Sequence, residues 1–257
     1  MDAEKQITII NLEFTAGLQN ILGDKLQAAY IYGAAAFNDS LPTGDIDFHV
    51  ILKDNLTDTE KDQLERLHAE LARKYPPLGG ELDGYYIHID DAKKRTPPKS
   101  EMWNCATDSA WALHREHIWA GRYKTLTGGD PREIYPPSTW PEIEAALLDE
   151  IRYIKDHLDT YPDYCILNLC RLVYSFQTRD VVISKAHAVE WSYAALPEWR
   201  WLVDLARKSY ERKATDQDRQ LMLANVNHFF EYATYQIEQL RQSYREGLSN
   251  SQPGTPG

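Results

Sequence analysis

Cysteine is scarce in this chain: Cys105, Cys165 and Cys170 are the only three among 257 residues. Three cannot build a disulfide framework, and none falls in a CxxC or Cys/His spacing, so neither a disulfide scaffold nor a zinc site is expected. Positive charge is also in short supply. Against 39 Asp and Glu stand 28 Lys and Arg, a formal net charge of −11. That balance excludes a non-specific nucleic-acid binder, whose affinity comes from cations that neutralise phosphates, and it suits a cationic ligand. Long hydrophobic runs are missing too; the most apolar, Ala28 to Phe37, is too short to cross a bilayer. The opening MDAEKQITII has no basic stretch ahead of an apolar one and no small-residue cleavage site, so no signal peptide is expected. Nor is there a GxGxxG fingerprint, a GxxxxGK[ST] loop, a Ser-His-Asp signal or an HExxH pair; His114, Glu116 and His117 do not make one, and no metal is assigned to them. The expectation is a cytoplasmic, reduced, monomeric protein with no membrane or nucleic-acid partner.

What is present is an ordinary globular composition, 43% hydrophobic and 26% charged. Two Pro/Gly-rich stretches interrupt it, one around Pro97 and one from Thr127 to Pro141, and the character of the sequence changes across the second. Before it, helix-like runs at 5–22 and 57–75 alternate with strand-like runs at 27–32, 46–52 and 82–89. Thr57 and Asp58 are placed to cap the second helix. After Trp140 the pattern is helical throughout: 142–158, 164–177, a segment opening at Ser184-Lys185, 197–210, and a long run from about 216 to 245. The fold class expected is α/β followed by all-α: a domain over 1–130 with a small mixed sheet, a helical bundle over 131–246, and a disordered tail over 247–257. Trp199, Trp201, Tyr232 and Tyr235 read as helix–helix packing.

The chemistry concentrates between Ile31 and Leu52, in IYGAAAFNDSLPTGDIDFHVIL. A strand runs into Gly33, a loop follows, and a second strand opens on Asp45-Ile46-Asp47. Strand alternation puts Asp45, Asp47 and His49 on one face and Ile46, Phe48, Val50 and Leu52 on the other. The uniformly apolar set is the buried one, so two carboxylates stand side by side on the opposite face. They repel each other unless something positive intervenes. Mg²⁺ is the natural partner, since it binds through one or two carboxylates and completes its shell with waters and substrate phosphates. A glycine before the pair lets backbone N–H groups come close to a phosphate. A third acid is available in GGELDGYYIHID, where Glu81 and Asp83 share strand parity, so parity alone does not choose between them.

This segment resembles the nucleotidyltransferase motif of the DNA-polymerase-β superfamily, Gly-Ser, ten residues, then Asp-x-Asp. Here Gly33-Ala34 is followed by Ala35 to Gly44 and then Asp45-Ile46-Asp47, with the spacing intact. Ala34 stands at the usual serine, and Gly44 at a frequent serine before the first Asp, so two hydroxyls that would meet a triphosphate are missing. The resemblance narrows further along the chain. LNLCRLVYSFQTRDVVISKAHAVEW, with Leu167, Leu169, Arg171, Ser184-Lys185 and Trp191, looks like the second domain of the aminoglycoside (3'')(9) adenylyltransferases, which transfer AMP to streptomycin or spectinomycin.

The resemblance implies a polymerase-β-type domain, a helical second domain, and ATP as co-substrate with Mg²⁺. It assigns Asp45, Asp47 and Asp83 to the metal, and Asp83 in preference to Glu81 as the base that takes the acceptor's hydroxyl proton. Gly33, Ala34 and Gly44 would line the phosphate loop. Arg171 and Lys185 would grip the triphosphate from the second domain, the nucleotide lying in the cleft between the halves. On the acceptor side the family uses a tryptophan and an acid. Trp103 is the counterpart of the first, and Glu81 is a further acceptor-side candidate. Tyr161 stands at the acid's place, with Asp159 and Asp163 two residues to either side. Two other readings remain open: a nucleotidyltransferase acting on another small-molecule or protein hydroxyl, and a weakly catalytic relative that binds and sequesters its ligand.

Overall fold

A computed structural model describes residues 3–37, 45–103 and 110–249. The chain divides into two compact units, Met1–Asp149 and Glu150–Gly257.

The first unit opens with helix α1 (Ala3–Leu22), whose Ile10, Phe14, Leu18 and Leu22 recur at helical spacing and are buried. Strand β1 (Leu26–Tyr32) follows, then β2 (Ile46–Leu52), helix α2 (Asp58–Lys74), β3 (Leu82–His88), one helical turn α3 (Ile89–Ala92), α4 (Trp111–Trp119) and β4 (Lys124–Thr127). The sheet order is β3-β2-β1-β4; β1 pairs antiparallel with β2 and β4, while β2 and β3 run parallel, with α2 as their crossover. The sheet is therefore small and mixed, as the sequence reading expects. α2 starts where Thr57 can cap it: Thr57 Oγ1 accepts from Glu60 N, and Glu60 Oε2 accepts from Thr57 N at 2.7 Å.

One face of the sheet carries the expected apolar stripe. Ile46, Phe48, Val50 and Leu52 are buried with Ile31 and Tyr86 against Phe14 and Leu18 of α1 and Leu64 and Leu71 of α2. The other face is less open than alternation alone suggests. From His49 onward it too is covered, by Trp111 and Ile118 of α4 and by Tyr135, over Tyr30, Ile51 and Ile87. The reason lies in α4, which is buried on several sides and carries Arg115 and His117 inward, so it has no apolar stripe to read.

The Pro/Gly stretch 127–141 folds with the first unit. Tyr135 is buried, and fully buried Arg115 donates to the carbonyls of Pro136 and Pro137 and pairs with Glu142 Oε1 at 2.9 Å. Helix α5 (Trp140–His157) contains the division between the units.

The second unit comprises the rest of α5, α6 (Pro162–Thr178), α7 (Lys185–Ala195), α8 (Arg200–Tyr210) and α9 (Asp216–Ser249). α6 is its axis, with Cys165, Ile166, Leu167, Leu169, Cys170, Leu172, Val173 and Phe176 all buried. Cys165 and Cys170 are free, and burial pushes both thiols up to about 12, which removes thiolate chemistry. Trp199 packs on Phe229 and Tyr232 as expected, whereas Trp201 and Tyr235 are exposed. α9 runs over the first residues of the expected tail as far as Ser249; the remainder of that tail lies outside the described residues. So do Cys105 and the loop 38–44, with Gly44. Among the described residues no helix is long and apolar enough to cross a membrane.

Candidate active site

The carboxylates come together through strand register. Tyr32 of β1 pairs with Asp47 of β2, and Asp47 pairs with Asp83 of β3. Paired residues share a face, so Tyr32, Asp47 and Asp83 form a row across three strands, the two acids on strands about 4.8 Å apart. Asp45 is exposed immediately before β2, and Ile46 N donates to Glu81 O at 2.7 Å, which ties the two acidic strand ends together. The structure thus brings together Asp45, Asp47, Asp83 and the backbone of Glu81, at the end of the sheet face that α4 leaves uncovered.

Gly33 explains the motif's first letter. Its φ is +63°, and a Cβ built there would lie 1.9 Å from Asp47 Oδ2. Only glycine lets the turn after β1 fold against the Asp47 carboxylate, and Ala34 N then donates to Asp47 Oδ2 at 3.3 Å. The Gly-Ala pair therefore orients a carboxylate.

Behind the acids lies an aromatic and histidine layer that sequence reasoning missed. Tyr32 Oη lies 3.2 Å from His114 Nδ1, and its ring packs on His49 and His114 at centroid distances of 4.4 and 4.8 Å. Burial first, then the charge of Asp47, with Tyr85 and Asp83 adding to it, holds the Tyr32 hydroxyl protonated far above its ordinary range. His49 is 0% exposed, with Nδ1 3.2 Å from Tyr135 Oη. Burial, then His114, keeps its imidazole neutral. His49 shares the face of Asp47 as parity requires, but it is a packed residue. The signal for His114 was absent because α4 itself was not legible.

Trp103 is placed elsewhere. It packs on His68 and Tyr86 at 5.7 and 5.8 Å, with Phe48 and the α1–α2 core, on the sheet face opposite the acids.

In the second unit, Ser184 caps α7 by accepting from His187 N at 3.0 Å, which sets Lys185 at the first helical position. Lys185 Nζ donates to Tyr210 Oη at 2.7 Å and lies over the rings of Tyr210 and Tyr164. Arg171, on α6, donates to Ile183 O and Asn168 Oδ1. Asp163 accepts from Tyr164 N at 2.9 Å and from Ser209 Oγ at 2.5 Å. Arg171 and Lys185 thus sit on two packed elements of the second unit, α6 and α7.

The donor chemistry at the acids suits Mg²⁺: hard oxygen ligands on adjacent strands, oriented by a backbone N–H. Among the described residues no three of His, Cys, Asp and Glu form a group that could hold a metal ion by themselves.

Two comparisons with known proteins bear on this arrangement. Residues 140–236 match the family model described as aminoglycoside adenylyltransferase, C-terminal domain. The fold is similar to that of spectinomycin adenyltransferase AAD(9) from Enterococcus faecialis, solved with ATP and spectinomycin, with a TM-score of 0.67 at 20% identity, over 88% of this chain and 98% of that one. No curated protein matches the chain by sequence. Together they bear out the resemblance to an aminoglycoside-adenylyltransferase-like family and support the nucleotidyltransferase class of enzyme.

Proposed function

We propose that the protein transfers AMP from ATP to a hydroxyl of an aminoglycoside or aminocyclitol, releasing pyrophosphate, as a cytoplasmic monomer that confers antibiotic resistance. The observation that carries this reading is Gly33 folded against an Asp47 carboxylate that stands in register with Asp83. A binder of neutral or anionic ligands gains nothing from crowded carboxylates, whereas phosphoryl transfer uses them.

Asp45, Asp47 and Asp83 would hold Mg²⁺, which when bound neutralises charge on the transferring phosphorus. Asp83, exposed at the start of β3, would take the acceptor's hydroxyl proton. The oxygen so freed forms a bond to the α-phosphorus as the bond from that phosphorus to the bridging oxygen breaks, and pyrophosphate leaves with that oxygen. The family resemblance gives Arg171 and Lys185 the role of meeting the triphosphate, the one through its guanidinium and the other as a point charge. Tyr32, kept protonated, packs behind the acids and excludes water from their rear. Gly33 and Ala34 would line the phosphate loop, and Glu81 and Asp163 are the acids this reading offers to an acceptor's ammonium groups. Trp103, partly buried against the opposite face of the sheet, is the least suited of the expected acceptor residues.

Incubation with labelled ATP, Mg²⁺ and a panel of aminoglycosides, following pyrophosphate, tests the proposal. Drug-dependent turnover that falls at least about a hundredfold in Asp47→Asn is expected. Turnover with other hydroxyl compounds alone would move the acceptor class, and none with any would overturn it.

A further inference from the structure

The buried residues of α6 between Cys165 and Phe176 are apolar with two exceptions, Asn168 and Ser175. Ser175 satisfies itself within the helix, its Oγ donating to Arg171 O at 2.8 Å. Asn168 reaches a charged side chain instead. It is only 4% exposed, and its Oδ1 accepts from Arg171 Nη1 at 3.1 Å, one turn along the same face of the helix. A guanidinium only donates, so this contact turns the oxygen of the amide towards Arg171. Asparagine is a poor helix former, and a buried amide costs free energy unless it is hydrogen-bonded. Packing alone therefore gives no reason for asparagine between Leu167 and Leu169, where an apolar side chain would serve.

Arg171 is held from a second side. Its Nε donates to Ile183 O at 3.2 Å. Ile183 is buried and immediately precedes Ser184, the cap of α7. Two N–H groups of the guanidinium are thus committed, and together they fix the plane of the fork. Both acceptors are uncharged, one a side-chain amide and the other a backbone carbonyl. They orient the group and leave its positive charge whole. A carboxylate at 168 would orient it as well, but would neutralise it through a charge-assisted bond.

We infer that Asn168 is a positioning residue for the nucleotide: it fixes the plane in which Arg171 meets a triphosphate without drawing on the charge that attracts it. This rests on the proposed role of Arg171 in ATP binding and adds to it the buried amide that sets the guanidinium's orientation.

Calorimetric titration of Mg·ATP into the wild type, Asn168→Asp, Asn168→Ala and Arg171→Ala tests it, with the melting temperature of each variant measured alongside. Asn168→Asp keeps the shape and the acceptor, so it should melt no lower than the wild type. Its Kd for Mg·ATP is nevertheless expected to rise about tenfold, because the new carboxylate competes with phosphate for the guanidinium. A residue that merely held the helices together would not separate the two readouts. Should the aspartate unsettle the fold, Asn168→Ala decides: loss of the acceptor is expected to raise the Kd several-fold. A variant at 168 that folds and binds Mg·ATP like the wild type overturns the inference and leaves AMP transfer standing. Arg171→Ala with an unchanged Kd overturns it too, by removing Arg171 from the nucleotide, and a wild type that does not bind Mg·ATP overturns both. Nucleotide binding that weakens as expected, in a protein that releases no pyrophosphate with any hydroxyl compound, would sink the reaction and leave the role of Asn168 standing.

Discussion

At the scale of single residues, the position most tightly constrained is Gly33. Two separate demands meet there: a positive φ, which L side chains rarely adopt, and the space beside Asp47 Oδ2, which a methyl group would fill. Gly33→Ala is expected to cost about 1–3 kcal/mol of stability and to displace the Asp47 carboxylate. Denaturant melts should show the first and a Mg·ATP titration the second, and a variant that binds Mg·ATP like the wild type would remove Gly33 from the site. The glycine and the paired aspartates were legible because they sit at a fixed spacing. His114 and Tyr32 were not: which rings gather behind the acids depends on α4, and α4 has no periodic stripe. Glu142 illustrates a pH effect set by single contacts. Partial burial would raise its pKa, but hydrogen bonds from Thr139 and the Arg115 guanidinium outweigh that and bring it to about 2. A lowered carboxylate pKa stabilises the fold above the unfolded value, near 4.5, and that contribution is lost as pH falls towards 2. The melting temperature should therefore decline across this window, and in Glu142→Gln the decline should be shallower.

At the scale of elements, helices whose ends carry their own capping chemistry matched the sequence reading closely. Thr57 and Glu60 satisfy each other's backbone donors, so α2 begins where the sequence reading places it. Thr57→Ala is expected to destabilise the protein by about 1 kcal/mol, measured as a shift of the urea midpoint with unchanged slope. β2 was equally legible, since its buried face alternates without a break from Ile46 to Leu52. β4 was not: four residues, none fully buried, joined to β1 by tertiary pairing, carry too little pattern. The same holds for α3, a single turn.

At the scale of the whole molecule, charge is the property that composition alone supplies. A net −11 predicts attraction of cationic ligands over a distance that salt shortens; the screening length is about 10 Å at 0.1 M. Raising the salt from 50 to 200 mM should raise the KM of a cationic acceptor several-fold. A KM independent of salt would mean that net charge has no part in recognition. Mg·ATP at a hundred times its Kd should add about 2.7 kcal/mol to stability, read as a raised melting temperature.

From the sequence alone came the class of fold, the helical second half and the pairing of acids at 45 and 47, because these depend on local periodicity and on short spacings along the chain, while Asp83, Arg171 and Lys185 entered as candidates through the family resemblance. Only tertiary structure decided that Trp103 packs on the sheet face opposite the acids, that His49 is sealed while Asp83 stays exposed, and that Arg171 is held by Ile183 O as well as by Asn168. Those outcomes turn on which side of an element a distant segment covers, and burial is a property of the assembled chain.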